Sequence, residues 1–548
     1  MTTKTTFGVR NISKEEYNVL NFGNVQEGQD ISAFLEDAIE AAVADGCRKV
    51  VIPHGNYYLS SKVDATLATV GSPVKTFHLD GAGARLLVPE SNTDGGIRIE
   101  KQDNFLRMTV ENLHILSEHT ASGSVTGGTG LELYSALQPG DAGWGTTDVP
   151  ELTMNNVFVA AAIPASQGRW DDAIKVNGFW FPRVSKLFAD TRHTGTDADT
   201  NYETGDGIAF WNCFQLDMVQ CRSRGRFQNN IRIDEDGAEP GFGYEDFAVT
   251  QCYGEGGKDA LTIRHSSAGE QAAALKEPGG AIVGGHYNGH RYAINIENRR
   301  QFSIQDPLLY TTIGSGNFDY AGAAFCRLYD CHSATVSVRV PEGGHYTNNT
   351  DCTRHVHLDG TTSHVLVTGS EFGANGIAIA NSSTGTGNMV TGNKFSSYSG
   401  SPDVRYVKGA GAGTIEGSDI YESLEPSLEF GGGSTGVTYS RRDGGYVQDG
   451  LKVTFWADIQ LSSKGTSTGN ANITLGLPAP VSGADFAFNI SYSTGASTQA
   501  AEGGIINPSG ELELYHKNAS DNLNQRITDA DFDNTTEIRV SGTYFTEM

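Results

Sequence analysis

The sequence predicts an all-β chain dominated by a right-handed parallel β-helix, with a capping helix at its start and an antiparallel β-sandwich at its end. Two observations carry this. First, one short strand pattern recurs through the middle of the chain: DDAIKVNG from Asp171, DGIAFWNC from Asp206, NNIRIDED from Asn229, DALTIRHS from Asp259. It continues as YAINIENR from Tyr292, FCRLYDCH from Phe325, HVHLDGTT from His355 and GIAIANSS from Gly376. The first inward residues, Ile174, Ile208, Ile231, Leu261, Ile294, Cys326, Val356 and Ile377, are 34, 23, 30, 33, 32, 30 and 21 residues apart. Such self-similarity marks a solenoid whose units bury their apolar faces by stacking. Second, each unit alternates with period two and no helical pattern intervenes, so the coils are built of strands.

The elements follow in order. The polar segment before Asn21 shows no pattern. Ile31, Phe34, Leu35, Ala38, Ile39, Ala42 and Val43 then fall at helical spacing, with Asp30 as N-cap and Gly46 as terminator. Lys49 to Pro53 reads as a strand, Gly55 as a turn, and Tyr57 to Leu59 as a second strand. Irregular early coils are expected from Phe77 to Ala162, including IRIEK and LRMTVENLHIL, and regular coils to about Tyr421. After Ser427 the pattern turns antiparallel: Val453, Phe455 and Ala457 alternate with polar residues, and FAFNISY, LELYH and TEIRVSGTYF add strands. The expected division is therefore residues 1–60, 61–424 and 425–548.

Composition narrows the function. A net charge of −26 and the lack of a basic stripe argue against nucleic acid. Glycine is 68 of 548 residues, which suits a turn-rich chain. The seven cysteines are odd in number, form no CxxC motif, and several sit at strand positions as small apolar residues. Neither a secretion signal nor an apolar run long enough to cross a membrane is evident. GxxxxGK[ST], HExxH and GxSxG are absent, and no cofactor or metal is expected. The acidic loop from Asp190 to Asp206 lacks the spacing of a calcium loop.

The outward residues of the repeat carry the chemistry. They read Lys175/Asn177, Ala209/Trp211, Arg232/Asp234, Thr262/Arg264, Asn295/Glu297, Arg327/Tyr329, His357/Asp359 and Ala378/Ala380, fading at both ends. A polysaccharide groove needs aromatic platforms, guanidiniums for acidic substituents and carboxylates for the bond cleaved. Asp234 and Glu297, two coils apart at ~4.8 Å per coil, are the expected acid/base pair, with Asp236, Glu235 or Asp359 as substitutes. Trp211, Arg232, Arg264, His357, Asp359 and Tyr329 are expected to bind substrate. A surface Arg–carboxylate ladder without catalysis is the bland alternative. A lyase would instead use Arg232, Arg264 or Arg327 to neutralise a uronate and Lys175, Tyr329 or a histidine (His265, His286, His290, His357) as base. Both carboxylates point outward, so their replacement is expected to spare folding.

Two stretches carry a resemblance. NFGNVQEGQDISAFLEDAIEAAVADGCRKVVIPHGNYYLSSKV, from Asn21, resembles the opening of pectate-lyase-like β-helix proteins, above all phage tailspikes and exopolysaccharide depolymerases; QEGQDIS stands where that family often has a Gly-Asp-Gly run. YSRRDGGYVQDGLKVTFWADIQLSSKGTSTGNANITLGLP is similar to the C-terminal module of phage tail fibres and tailspikes. The resemblance implies a virion protein that binds and depolymerises a bacterial capsular or exopolysaccharide. It further implies a homotrimer, attached to other tail components through its N-terminus. A polysaccharide lyase or a non-catalytic adhesin of the same architecture are the competing readings.

Overall fold

The computed structural model describes residues 16–546 apart from 120–126, 163–169, 192–204, 235–245, 266–278, 311–322, 342–353, 396–405, 495–502 and shorter breaks in several loops. The chain forms two compact units, Met1–Asn388 with Val404–Gly413, and Met389–Asp403 with Thr414–Met548.

The first unit is a parallel solenoid of β-strands. Helix α1 (Ser32–Ala44) opens it, burying Leu35, Ala38, Ile39, Ala42 and Val43. Asp30 stands one residue ahead of the cap position, yet its carboxylate accepts the Ser32 N–H at 3.0 Å and so does the work of a cap. Gly46 ends the helix with φ +96°, a conformation costly for any residue with a Cβ. The helix packs against the first coil, whose apolar edge would otherwise be open.

Twelve strands then stack in one parallel sheet: β1 (Val63–Leu67), β2 (Gly95–Lys101), β3 (Thr129–Ser135), β4 (Asp172–Asn177), β5 (Asp206–Trp211) and β6 (Asn229–Asp234). The stack continues with β7 (Tyr253–Arg264), β8 (His286–Glu297), β9 (Ala324–Tyr329), β10 (Arg354–Asp359), β11 (Ile377–Asn381) and β12 (Tyr406–Lys408). The expected inward columns are in register: Ile174, Ile208, Ile231, Leu261, Ile294, Cys326 and Val356 pair in turn, all without solvent exposure. Each is a transverse layer of the core, and stacking it removes apolar area from water at about 25 cal/mol per Å².

Two expectations need correction. Val356 pairs with Ile379 rather than Ile377, and Ile377 meets Arg354, so the last repeat is displaced by two residues. A shift of two preserves the facing of every side chain, which is why the pattern alone did not expose it. IRIEK is also no irregular coil: Ile97 and Ile99 pair with Val63/Ala65 below and Leu131/Leu133 above, extending the same columns toward the N-terminus.

The other two strands of each coil meet at a corner in the left-handed region. Asn112, Asn156, Lys186, Gln220 and Gln251 occupy it with φ between +51° and +55°, and Gly284 takes it at +60°. Asn tolerates this backbone, whereas Lys and Gln adopt it under strain. The free cysteines Cys213, Cys221, Cys252, Cys326 and Cys331 are all buried in the solenoid.

The second unit contains a ten-stranded antiparallel sheet around one core. Val453, Phe455, Ala457, Ile459 and Leu461 alternate into it and meet Phe488, Leu514, Val540 and Tyr544. Strand Ile420–Leu424 already pairs antiparallel with Val437–Asp449, so this sheet begins before the boundary expected at 424/425.

Candidate functional site

The outward side of β1–β11 carries two columns of side chains. In one, Tyr134, Asn177, Trp211 and Asp234 stand in register on successive strands, and Arg264, Glu297, Tyr329 and Asp359 follow. The neighbouring column runs Asp64, Arg98, Glu132, Lys175, Ala209, Arg232, Thr262, Asn295, Arg327, His357, Ala380. At the N-terminal end the ladder does not fade: Tyr134, Glu132, Glu100 and Arg98 continue it.

Asp234 lies at the centre of a charged cluster. Its Oδ2 accepts from Arg232 Nε at 2.9 Å and Nη2 at 2.6 Å, and its Oδ1 from Arg264 Nε at 3.1 Å. Arg264 Nη2 is 2.7 Å from Oδ2, and the carboxylate has 0% exposure. It points outward, as its place on the strand requires, yet two guanidiniums cover it. The expectation that replacing it would spare folding is therefore corrected, since an outward side chain here is also a buried ion.

Arg232 also reaches Asp206 Oδ2 at 3.3 Å, and its guanidinium lies 4.2 Å from the centre of the Trp211 ring. One guanidinium thus joins Asp206 to Asp234 while stacked on the indole, a geometry open to Arg but not Lys. Asp206 is held further by Asn229 Nδ2, which donates at 2.7 Å, and its own N–H donates to Asp172 Oδ1 at 2.8 Å. Burial pushes the Asp206 carboxyl up to about 6; Arg232 and Asn229 oppose that and Asp172 reinforces it. Burial also raises Asp172 and Asp259 above the ordinary range.

Glu297, 23% exposed, meets Arg327 Nη1 at 3.0 Å, and Asp359, 30% exposed, meets Arg327 Nη2 at 3.2 Å. Arg327 stacks on Tyr329 at 4.5 Å and Tyr292 at 5.4 Å. For Asp359, burial works upward but the Gly360 N–H, His357 and Arg327 outweigh it, leaving the carboxyl below the usual range. His357 pairs with Ser382 Oγ at 2.6 Å. Burial, then Arg354, hold its imidazole down to about 4, so it is neutral at pH 7.

The structure therefore brings together Trp211, Arg232, Asp234 and Arg264, and separately Glu297, Arg327, Tyr329 and Asp359. Glu235 and Asp236 lie outside the described residues, as do Asp197, Asp199 and Glu203 of the acidic loop. Asp206, Asp172 and Asp259 were missed as site residues. Their signal was the Asp or Asn two positions before the inward residue in four successive coils (Asp172, Asp206, Asn229 and Asp259), which served only to mark the repeat. Among the described residues, His78, Asp80 and Glu111 gather three donors with metal-ligand chemistry. Asp80 is already ion-paired with Lys49 at 2.7 Å, which suits a salt bridge better than a cation site. A separate cavity of about 370 Å³ lies on another face, lined by Arg85, His114, Phe158, Phe188 and Asp190 among others.

No family model matches this chain, and no curated protein matches it. Solved structures do. The Dettilon tailspike protein aligns with 97% of this chain and 94% of its own at 14% identity and TM-score 0.43. Tailspike protein 2 of a bacteriophage of Escherichia coli O157:H7 aligns with 97% of this chain and 68% of its own, at 13% identity and TM-score 0.39. The A-module of the Azotobacter vinelandii mannuronan C-5 epimerase AlgE4 covers 73% of this chain and 99% of its own, at 16% identity and TM-score 0.42. The structural neighbours include phage tailspikes. Among the described residues, no helix is long and apolar enough to cross a membrane.

Proposed function

We propose that this chain is a phage tailspike depolymerase that binds a bacterial capsular or exopolysaccharide along the outward face of β1–β11 and hydrolyses its glycosidic bonds. The observation that supports this is the cluster Trp211–Arg232–Asp206–Asp234: two carboxyl groups in different environments, beside an aromatic platform, on an extended face. A carboxyl raised by burial next to a second carboxylate is what acid/base chemistry on an acetal needs. The tail assignment rests on the resemblance of the opening and C-terminal segments.

In this reading Asp206 is the acid. A carboxyl pushed up to about 6 carries its proton at mildly acidic pH, where an ordinary aspartate has lost it, and it shares one guanidinium with Asp234. The proton passes from Asp206 to the glycosidic oxygen as the C–O bond breaks. Water adds to the anomeric carbon and gives its proton to Asp234. Arg264, at 41% exposure, is the movable half of the cover over Asp234. Glu297 is the alternative partner of Asp234, favoured by its greater exposure but two coils away. Trp211, Arg232, Arg264, Tyr329, His357 and Asp359 line the binding face.

The test is a set of three variants, Asp206→Asn, Asp234→Asn and Glu297→Gln, on a polymer that the native protein shortens. Loss of ~10²–10⁴ in turnover with binding retained identifies the acid and base. Full turnover in both aspartate variants would overturn the assignment, and absorbance at 235 nm in the product would make the enzyme a lyase. The chain is further proposed to be a homotrimer, which a monomeric mass in light scattering would refute.

A further inference from the structure

We infer that the polymer held across the central coils is uncharged there, free of uronic acids and other anionic substituents between Trp211 and Tyr329. The inference rests on the depolymerase reading and adds the substrate class. Between β5 and β9 the face presents four guanidiniums, and the protein's own carboxylates engage each one. Arg232 holds Asp206 and Asp234; Arg264 holds Asp234. Arg291 is forked against Asp259, with Nε donating to Oδ1 at 2.9 Å. Arg327 spans Glu297 and Asp359.

A substrate carboxylate at these cations would compete with the protein carboxylates already bound to them. At Arg291 the one displaced would be Asp259, with 1% exposure, and an uncompensated ion at such a place is strongly unfavourable. The wider field acts in the same direction, because a chain of net charge −26 repels a polyanion. Toward the N-terminus the pattern repeats: Arg98 is bound by Asp64 at 2.8 Å and also by Glu100. Arg354 in β10 has no ion pair among the described residues, and it lies one coil beyond Tyr329. A neutral sugar meets none of these penalties. Its hydroxyls can donate to the free lone pairs of Glu297 and Asp359, while its ring faces suit Trp211 and Tyr329.

The same census bears on the reaction. Elimination from a uronic acid takes the C5 proton to a base, forms a C4–C5 double bond and expels the 4-linked sugar, and it requires the uronate to be neutralised. Among the described residues each guanidinium of the central face is already ion-paired, so a uronate there would have to share its cation. Hydrolysis of a neutral glycoside needs no such cation.

The experiment uses the full-length protein and surface polysaccharides extracted from bacteria to which the fluorescently labelled protein adsorbs. Each polymer is divided, and one half is carboxyl-reduced with carbodiimide and borohydride, which turns uronic acids into neutral sugars. Retardation in affinity electrophoresis and loss of chain length are read on both halves. The expected result is no change on reduction and an affinity that varies less than about twofold between about 50 and 500 mM NaCl. Loss of either readout on reduction, a steep salt dependence, or a product absorbing at 235 nm overturns the inference. Retardation without shortening would defeat the depolymerase reading alone, because the reduced and native halves still compare substrate charge. No retardation by any such polymer would overturn both.

Discussion

Replacing Asp234 by Asn separates what this carboxylate does for the fold from what it does for turnover. The change keeps the shape but removes a charge that receives three hydrogen bonds from two guanidiniums, at 2.9, 2.6 and 3.1 Å. The amide also turns an N–H₂ toward cations that need acceptors. Hydrogen bonds to charged groups are worth ~1.5–3 kcal/mol, but not additively. Arg232 keeps Asp206, and Arg264, 41% exposed, regains water, so its share is discounted to the ~0–1 kcal/mol of a surface pair. The expected destabilisation is about 2–3 kcal/mol, read as a lower urea midpoint at unchanged slope. Salt should leave it nearly unaltered, since a covered pair is poorly screened. Turnover is to be measured at a temperature where the variant is fully folded, and there it should fall ~10²–10⁴. A stability change within about 0.5 kcal/mol would refute the covered geometry. A destabilised variant with native turnover would confine Asp234 to the fold.

Other perturbations test other parts of the structure. Lys101 and Glu151 form a 2.5 Å ion pair with both side chains at 1% exposure, so Glu151→Gln should cost ~3–5 kcal/mol in urea unfolding; Lys101→Met with Glu151→Leu should recover most of it. Asp206 rises from 3.8 to about 6 on folding, so the native state holds its proton more tightly, and stability falls by up to about 3 kcal/mol as pH rises from 4 to 6. Asp206→Asn should flatten that fall in a pH series of urea midpoints. His357 has the opposite sign: with its imidazole lowered from 6.5 to about 4, stability is lost as pH drops through that window, and His357→Gln should remove the loss. Lys186→Gly relieves a φ of +53° and should stabilise by ~0.5–1 kcal/mol; an unchanged or lower urea midpoint would contradict the strain at that corner.

The solenoid was legible because its period-two alternation must agree in every coil: a slip of one residue would send Ile208 and Phe210 to water and Trp211 to the core. A slip of two carries no such penalty, and Ile377 and Ile379 are equally apolar, so the last repeat was misplaced. The early coils escaped because the long segment between Ser117 and Thr129 broke the spacing, although Ile97 and Ile99 already showed the alternation. The outward columns gave the residues of the candidate site but not their partners. Arg264 is 30 residues from Asp234 and Arg232 is 26 from Asp206, and only the stacking of coils decides which guanidinium covers which carboxylate.

That stacking has a consequence for how charge can be used on such a face. Successive coils place like positions about 4.8 Å apart, a spacing at which two carboxylates repel strongly unless a cation intervenes. Asp234, Arg264 and Glu297 obey this in one column, and Thr262 and Asn295 separate the cations Arg232 and Arg327 in the other. Asp172 and Asp206 meet the rule only in part: each has a cation, Lys175 at 3.9 Å and Arg232 at 3.3 Å, yet both carboxyls stay raised. They stand on adjacent strands two residues before Ile174 and Ile208, and both carboxyls are raised above their ordinary range. On the proposed reading these two raised carboxyls serve proton chemistry rather than packing. Asp172→Asn should therefore lower the pH at which Asp206 loses its proton, shifting the alkaline limb of activity downward, while leaving the urea midpoint at pH 7 unchanged or higher. An unshifted limb would separate the two carboxyls and remove Asp172 from the site.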